Sequence, residues 1–235
     1  ESSFNEDPSD KENGLLRDLT PIASKAKSML IFNTITENKT NYYNTNLFYS
    51  PEMKYLGSYS KKRLVPFGEY VPLKNLWGSW SLFSDIGSGF TPGRKDMTIN
   101  GVSSLICFES AFSDDFRNAI TSSTKLMIIT TNNRSYRRSG NSEQHLAQSK
   151  LRAIEYSIPV VHASVSGKSA SIGKDGEIIA ESKLFVNQLI EGSLDTTISR
   201  SFYANTFDWF SYLCLVVVLC LIAIRTKDLM WKKAT

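Results

Sequence analysis

Ser103-Ser104-Leu105-Ile106-Cys107-Phe108-Glu109-Ser110 reads as a short apolar strand that ends on a cysteine, with a carboxylate two residues further on. A buried strand holds whatever stands at its end rigidly, and reactive groups commonly sit where such strands meet loops. A thiol in that place is either a fixed nucleophile or a structural cysteine, because Cys is among the most buried residue types. Cys107 alone favours the structural reading. Two other stretches reverse that balance.

Downstream, residues 111–123 suit a helix and residues 125–131 (KLMIITT) a second buried strand. Residues 132–140 form a polar, basic loop. Ser142 is placed to cap a helix running to about Tyr156, with Leu146, Ala147, Leu151 and Ile154 on its apolar side and Pro159 beyond its end. Residues 160–165 and 169–172 read as strands, Lys174-Asp175-Gly176-Glu177 as a hairpin turn, and residues 178–190 as further β structure. Upstream, residues 15–28 have helical spacing interrupted by Pro21, and residues 29–36 and 41–50 read as strands. In Leu64-Val65-Pro66-Phe67-Gly68-Glu69-Tyr70-Val71-Pro72, two prolines and a glycine forbid a regular helix and leave a fixed loop carrying one carboxylate. This alternation predicts layered α/β architecture, with sheets packed together and helices outside.

The 235 residues suit one large domain with an appendage, and 41% hydrophobic with 21% charged residues allows a sizeable core. A net charge of +4, scattered along the chain, does not suggest nucleic acid. Cys107, Cys214 and Cys220 form no disulfide framework, and His145 and His162 are the only histidines, so no metal site is expected. Glu1 does not open a signal-like segment, and the chain reads as starting within a longer protein. Residues 209–224 (WFSYLCLVVVLCLIAI) contain no charge, against the ~20 apolar residues that a spanning helix needs. Arg225, Lys227, Lys232 and Lys233 follow, so the expectation is a membrane span with a cytoplasmic tail and the globular part on the opposite side. The loop bearing Trp77, Trp80 and Phe83 either folds back as core or dips into a bilayer interface.

Glu1, Lys61 and Cys107, with Glu69 and Glu109 as neighbours, make a histidine-free kit for acyl transfer. A carboxylate can take the thiol proton, and an ammonium can hold the oxyanion of a tetrahedral intermediate. Tyr59–Pro72 (YSKKRLVPFGEYVP), Leu105–Ser110 (LICFES) and the later TNN and RAIEYSIPVVHAS stretches resemble the nitrilase (carbon–nitrogen hydrolase) superfamily. Within it, LVPFGEYVP followed by a terminal span is most similar to the family of bacterial apolipoprotein N-acyltransferases.

The resemblance implies a nitrilase-like αββα sandwich, lacking its first strand, followed by one C-terminal transmembrane helix. The domains would be residues 1–200, catalytic and extracytoplasmic, and residues 201–235, a helix with a short basic tail in the bacterial inner membrane. It implies a Glu-Lys-Cys triad in that chain order. The lysine of the family's K-x-x-L motif falls on Lys61 rather than Lys62, the nucleophile on Cys107, and the glutamate on Glu1. Glu69 is implied as a second acid beside Lys61, Glu109 as a supporting carboxylate, and Phe108 as the donor of an oxyanion-binding N–H. Trp77, Trp80 and Phe83 would face the membrane. The implied activity is N-acylation without cofactor, from a phospholipid donor to the N-terminal cysteine of a diacylated apolipoprotein. A membrane-tethered amidase using water and a catalytically dead lipid- or lipoprotein-binding member are the rivals. One departure stands out: the family's T-N-D-x-W appears here as Thr131-Asn132-Asn133-Arg134-Ser135.

Overall fold

The computed structural model describes residues 14–38, 40–73 and 89–234. Glu1 and the aromatic loop of Trp77, Trp80 and Phe83 lie outside the described residues. Helix α1 (Gly14–Ala26) contains Pro21 and turns Leu19 and Ala23 toward a three-stranded antiparallel sheet. That sheet comprises β1 (Leu30–Asn38), β2 (Asn41–Tyr49) and β3 (Tyr55–Ser60), in this order. The side chains of β2 alternate between two buried faces, as a strand's period of two requires. Leu47 and Tyr49 join Phe32 and Leu19 on the α1 side, while Phe48 points into the main core.

The second sheet has six strands in sequence order. They are β4 (Thr98–Ile99), β5 (Val102–Ile106), β6 (Leu126–Asn132), β7 (Val160–Val165), β8 (Ala170–Ile172) and β9 (Ile178–Glu181). Strands β5, β6 and β7 are parallel and the outer pairs antiparallel. Parallel neighbours need crossovers. Here these are a 3-10 turn (Cys107–Ala111) with helix α2 (Ser113–Ala119), and then helix α3 (Asn141–Tyr156). Phe48 and Tyr59 of the first sheet share one core with Leu105, Ile106, Met127 and Ile129 of the second, and Phe116, Leu146, Ala153 and Tyr156 of the helices complete it. This is the mixed α/β nitrilase-like layering that the resemblance implied.

Between the sheets lies a polar seam. Asn46 donates to Ser104 Oγ at 2.5 Å and accepts from Thr130 Oγ1 at 2.8 Å and from Asn33 Nδ2 at 2.9 Å. Each such buried amide must be hydrogen-bonded or cost several kcal/mol, roughly 1–3 per group on mutational scales. The seam therefore fixes the register of one sheet on the other more sharply than apolar contact does.

Three local expectations are corrected. The helix expected over residues 111–123 is shorter, because a 3-10 turn precedes it and the Thr121–Thr124 turn follows. Helix α3 begins after Gly140, and Ser142 instead accepts from Lys168 N at 3.3 Å. Its buried face is Ser142, His145, Leu146, Ser149, Arg152, Ala153 and Tyr156, while Ala147, Leu151 and Ile154 are exposed. Extended pairing ends at Glu181, short of the residues 178–190 expected.

After α4 (Phe202–Thr206), helix α5 (Trp209–Ala234) ends the chain. Its stretch Trp209–Lys227 has mean hydropathy 2.1 and none of that window is buried, so this helix is long and apolar enough to cross a membrane. Nineteen residues at ~1.5 Å each nearly match a ~30 Å hydrocarbon core. Tyr203 of α4 rests against Tyr156 and hydrogen-bonds Ser113 at 3.0 Å, tying the segment before that helix to α2 and α3.

Candidate active site

Strand β3 delivers Lys61 and strand β5 delivers Cys107. Lys61 donates its N–H to Asn44 O and accepts from Gly93 N, each at 2.8 Å. Gly93 is there because nothing larger fits: a Cβ would lie 2.0 Å from Ser60 O. The lysine side chain is 1% exposed and pairs with Glu69 Oε1 at 2.8 Å. The other Glu69 oxygen accepts from Val65 N at 2.8 Å, and Asn44 Nδ2 approaches Oε1 at 3.3 Å. The proline-bounded loop thus holds its carboxylate by its own backbone and presents it to Lys61.

Cys107 sits at the first position of the 3-10 turn with φ +50°. A non-glycine residue in that region costs of order 1–3 kcal/mol and persists only where its surroundings enforce it. They do. The Cys107 carbonyl accepts from Ser110 Oγ at 3.0 Å and from His145 Nε2 at 3.0 Å. His145 Nδ1 lies 3.0 Å from Asn133 Oδ1, so helix α3 and the end of β6 brace the turn from behind. The thiol residue is 8% exposed. Phe108 follows it as the second residue of the turn, where an N–H has no partner within the turn itself.

Glu109 joins the two strand ends. Fully buried, it accepts from Tyr59 Oη at 2.9 Å, Lys62 N at 2.7 Å, Arg63 N at 3.0 Å and Ile106 N at 2.8 Å. Lys62 and Arg63 directly follow Lys61, and Ile106 precedes Cys107, so one carboxylate clamps the lysine strand to the cysteine turn. Burial pushes its pKa up, against the lowering by the Arg63, Ile106 and Lys62 amides and the Tyr59 hydroxyl. Tyr59, buried beside that charge, is held well above the ordinary phenol range, first by burial and then by Glu109.

Lys61 directly follows β3, Glu69 stands in the loop after it, and Cys107, Phe108 and Glu109 lie in the turn after β5. Lys62, by contrast, pairs with Asp96 at 2.5 Å and is partly exposed. Sequence reasoning left His145, Asn46 and Tyr59 without a part in the site; the polar run Asn44-Thr45-Asn46 within β2 and the polar residues Ser142, His145, Ser149 and Arg152 along one face of α3 were the available signal. Among the described residues no group of His, Cys, Asp or Glu is arranged to hold a metal.

Residues 8–201 match the carbon–nitrogen hydrolase family model. The chain belongs to this family. Carbon–nitrogen hydrolase relatives among curated proteins include the apolipoprotein N-acyltransferases of Geobacter metallireducens (30% identical over 81% of this chain and 38% of that protein) and Pasteurella multocida (29% over 77% and 38%). The chain thus spans about two fifths of the length of these relatives. In fold it is similar to an amidase from Nesterenkonia sp., with TM-score 0.52 and 19% identity over 72% of this chain and 62% of that one. A structure of the amidase from strain AN1 at the same TM-score, covering 72% of this chain and 64% of that one at 19% identity, carries acrylamide added at its active-site cysteine.

Proposed function

We propose that this carbon–nitrogen hydrolase is an N-acyltransferase that moves a fatty acyl chain from a membrane phospholipid, through a thioester on Cys107, to the N-terminal amine of a diacylated lipoprotein. The observation that carries this reading is the Glu109 clamp, which joins the Lys61 strand end to the Cys107 turn in a chain that also carries an exposed apolar helix. The names of the curated relatives support the same reading.

In the first half-reaction Glu1 accepts the Cys107 proton and the thiolate attacks the ester carbonyl. Lys61 and the Phe108 N–H hold the oxyanion; Glu69 keeps the ammonium oriented. Collapse of the intermediate breaks the ester C–O bond, and Glu1 returns its proton to the departing lysophospholipid oxygen. In the second half-reaction Glu1 takes a proton from the lipoprotein amine, the amine attacks the thioester, and the Cys107 sulfur leaves as the amide forms. A dry site slows hydrolysis of the thioester, a role for the loop of Trp77, Trp80 and Phe83 at the membrane face. Residues 1–200 would form the catalytic domain outside the cytoplasm and residues 201–235 its anchor in the bacterial inner membrane, with the basic tail inside.

The test is transfer by the full-length protein from phospholipid vesicles to a synthetic diacylated lipopeptide. A triacylated peptide, lost with Cys107→Ala, is the expected product. Release of free fatty acid alone would replace the acyltransferase by the water-using amidase reading, and neither product by the catalytically dead one.

A further inference from the structure

The loop after β6 carries two arginines that nothing above employs. A cavity of about 580 Å³ opens beside the Lys61–Glu69 pair, and Arg134 and Arg137 line it together with Glu69, Asn44 and Phe90. Both arginines are exposed. Lys62, Arg63, Arg117, Lys168 and Lys174 all meet carboxylates, but no carboxylate pairs with Arg134 or Arg137 among the described residues. The one acid in the same wall is already engaged: Glu69 serves Lys61, Val65 N and Asn44. Neighbouring Arg138 is turned elsewhere, over the Phe185 ring.

Backbone geometry aims the pair. Residues Arg134–Tyr136 form a 3-10 turn, and the Arg137 N–H donates to Arg134 O at 3.2 Å. Arg137 closes that turn at φ +52°, and the chain reversal leaves both guanidinium-bearing residues on the same cavity wall. Phe90 also lines a second cavity of about 410 Å³, together with Lys62, Arg63, Leu64, Tyr70 and Pro92. Phe90 is thus shared by the compartment of Arg134 and Arg137, against which the Lys61–Glu69 pair stands, and a second one whose Leu64, Tyr70 and Pro92 are apolar and whose cations, Lys62 and Arg63, already meet Asp96 and Asp115.

An ester with an apolar chain on one side and an anion on the other fits that layout. We infer that Arg134 and Arg137 bind the phosphodiester of the glycerophospholipid that donates the acyl chain, which makes them specificity-determining residues for the first half-reaction; this rests on the function proposed above. Guanidinium forks match phosphate oxygens in pairs, and charge-assisted hydrogen bonds of this kind are about twice as strong as neutral ones. The phosphate would stay with the leaving lysophospholipid, so the acceptor, which lacks one, would not use the pair.

The test compares two donors with the same acyl chains, phosphatidylglycerol and diacylglycerol, by the rate at which the full-length protein acylates Cys107. Wild type should favour the phosphate-bearing donor, and Arg134→Ala/Arg137→Ala should shrink that preference by roughly 10-fold per arginine, mostly through KM. Arg134→Lys/Arg137→Lys should restore part of it. Inorganic phosphate should compete with phosphatidylglycerol in wild type and leave the diacylglycerol reaction alone. An unchanged preference in the alanine variant, or equal losses with both donors, would overturn the inference while leaving the acyltransferase reading intact. Equal action of inorganic phosphate on both donors would make this a free-anion site and overturn it too. If wild type took no acyl group from either lipid yet still reacted with a soluble activated ester, the proposed function would fall and the headgroup assignment with it.

Discussion

Glu109→Gln isolates the clamp, since it keeps the shape of the side chain and removes one acceptor atom. The amide nitrogen will occupy the Oε2 position, where it displaces the bond from Ile106 N; at Oε1 it would face both Lys62 N and Arg63 N. One buried N–H without a partner costs roughly 1–3 kcal/mol, and the remaining bonds fall from charge-assisted to neutral strength. Relief of the buried charge offsets part of this, leaving about 2 kcal/mol. For a chain of this size that lowers Tm by about 4–8 °C. The acylation rate of Cys107 should fall further than the stability loss explains, because displacement of Lys61 by an ångström alone costs up to ~100-fold. Thermal unfolding in detergent and single-turnover acylation, measured on one preparation, give both numbers. A Tm within a degree of wild type together with an unchanged rate would refute the clamp.

Lys61→Ala should lower the acylation rate by ~10²-fold or more, as loss of an oxyanion donor does, whereas Lys62→Ala should act as a surface change; equal effects would shift the motif alignment by one residue. His162 is fully buried and its pKa is held well below 6.5, chiefly by burial and then by the neighbouring His145. Its folded pKa lies below its unfolded one, so the unfolded state takes up the extra proton as pH drops. Stability should therefore fall from about pH 6.5 downward by up to ~1.4 kcal/mol per pH unit from this group. His162→Gln should flatten that slope in urea titrations at several pH values, and an equally steep slope would remove His162 as its source.

How much could be read beforehand follows from where periodicity carried information. The cysteine strand, the parallel β5–β6–β7 run and the terminal apolar helix are local apolar patterns, and all three stand where the sequence put them. Helix α3 misled because its buried face is mixed: Leu146 packs in the core as expected, but His145 and Ser149 also point inward, to hydrogen-bond partners in the Cys107 turn and on His162, while Leu151 and Ile154 face out. Hydropathy misplaces the polar half of that face. Asn46 was invisible for the same reason, since a buried amide looks like a surface residue until its partners, contributed by Asn33, Ser104 and Thr130 far along the chain, are known. The clamp needed both strand ends in space: Glu109 lies 47 residues from Lys62, and no spacing rule connects them. Lys61 could be separated from Lys62 only by motif, and the structure adds the physical difference: Lys61 is buried against Glu69, whereas Lys62 is partly exposed beside Asp96.

Mass spectrometry of the full-length protein after incubation with a phospholipid of defined acyl chains tests the central claim most directly. The account predicts one added acyl group on the peptide containing Cys107, removed by neutral hydroxylamine and by a diacylated lipopeptide, absent in Cys107→Ala and retained in Cys214→Ala/Cys220→Ala. An acyl adduct that survives Cys107→Ala, or that resists both hydroxylamine and the lipopeptide, would contradict it.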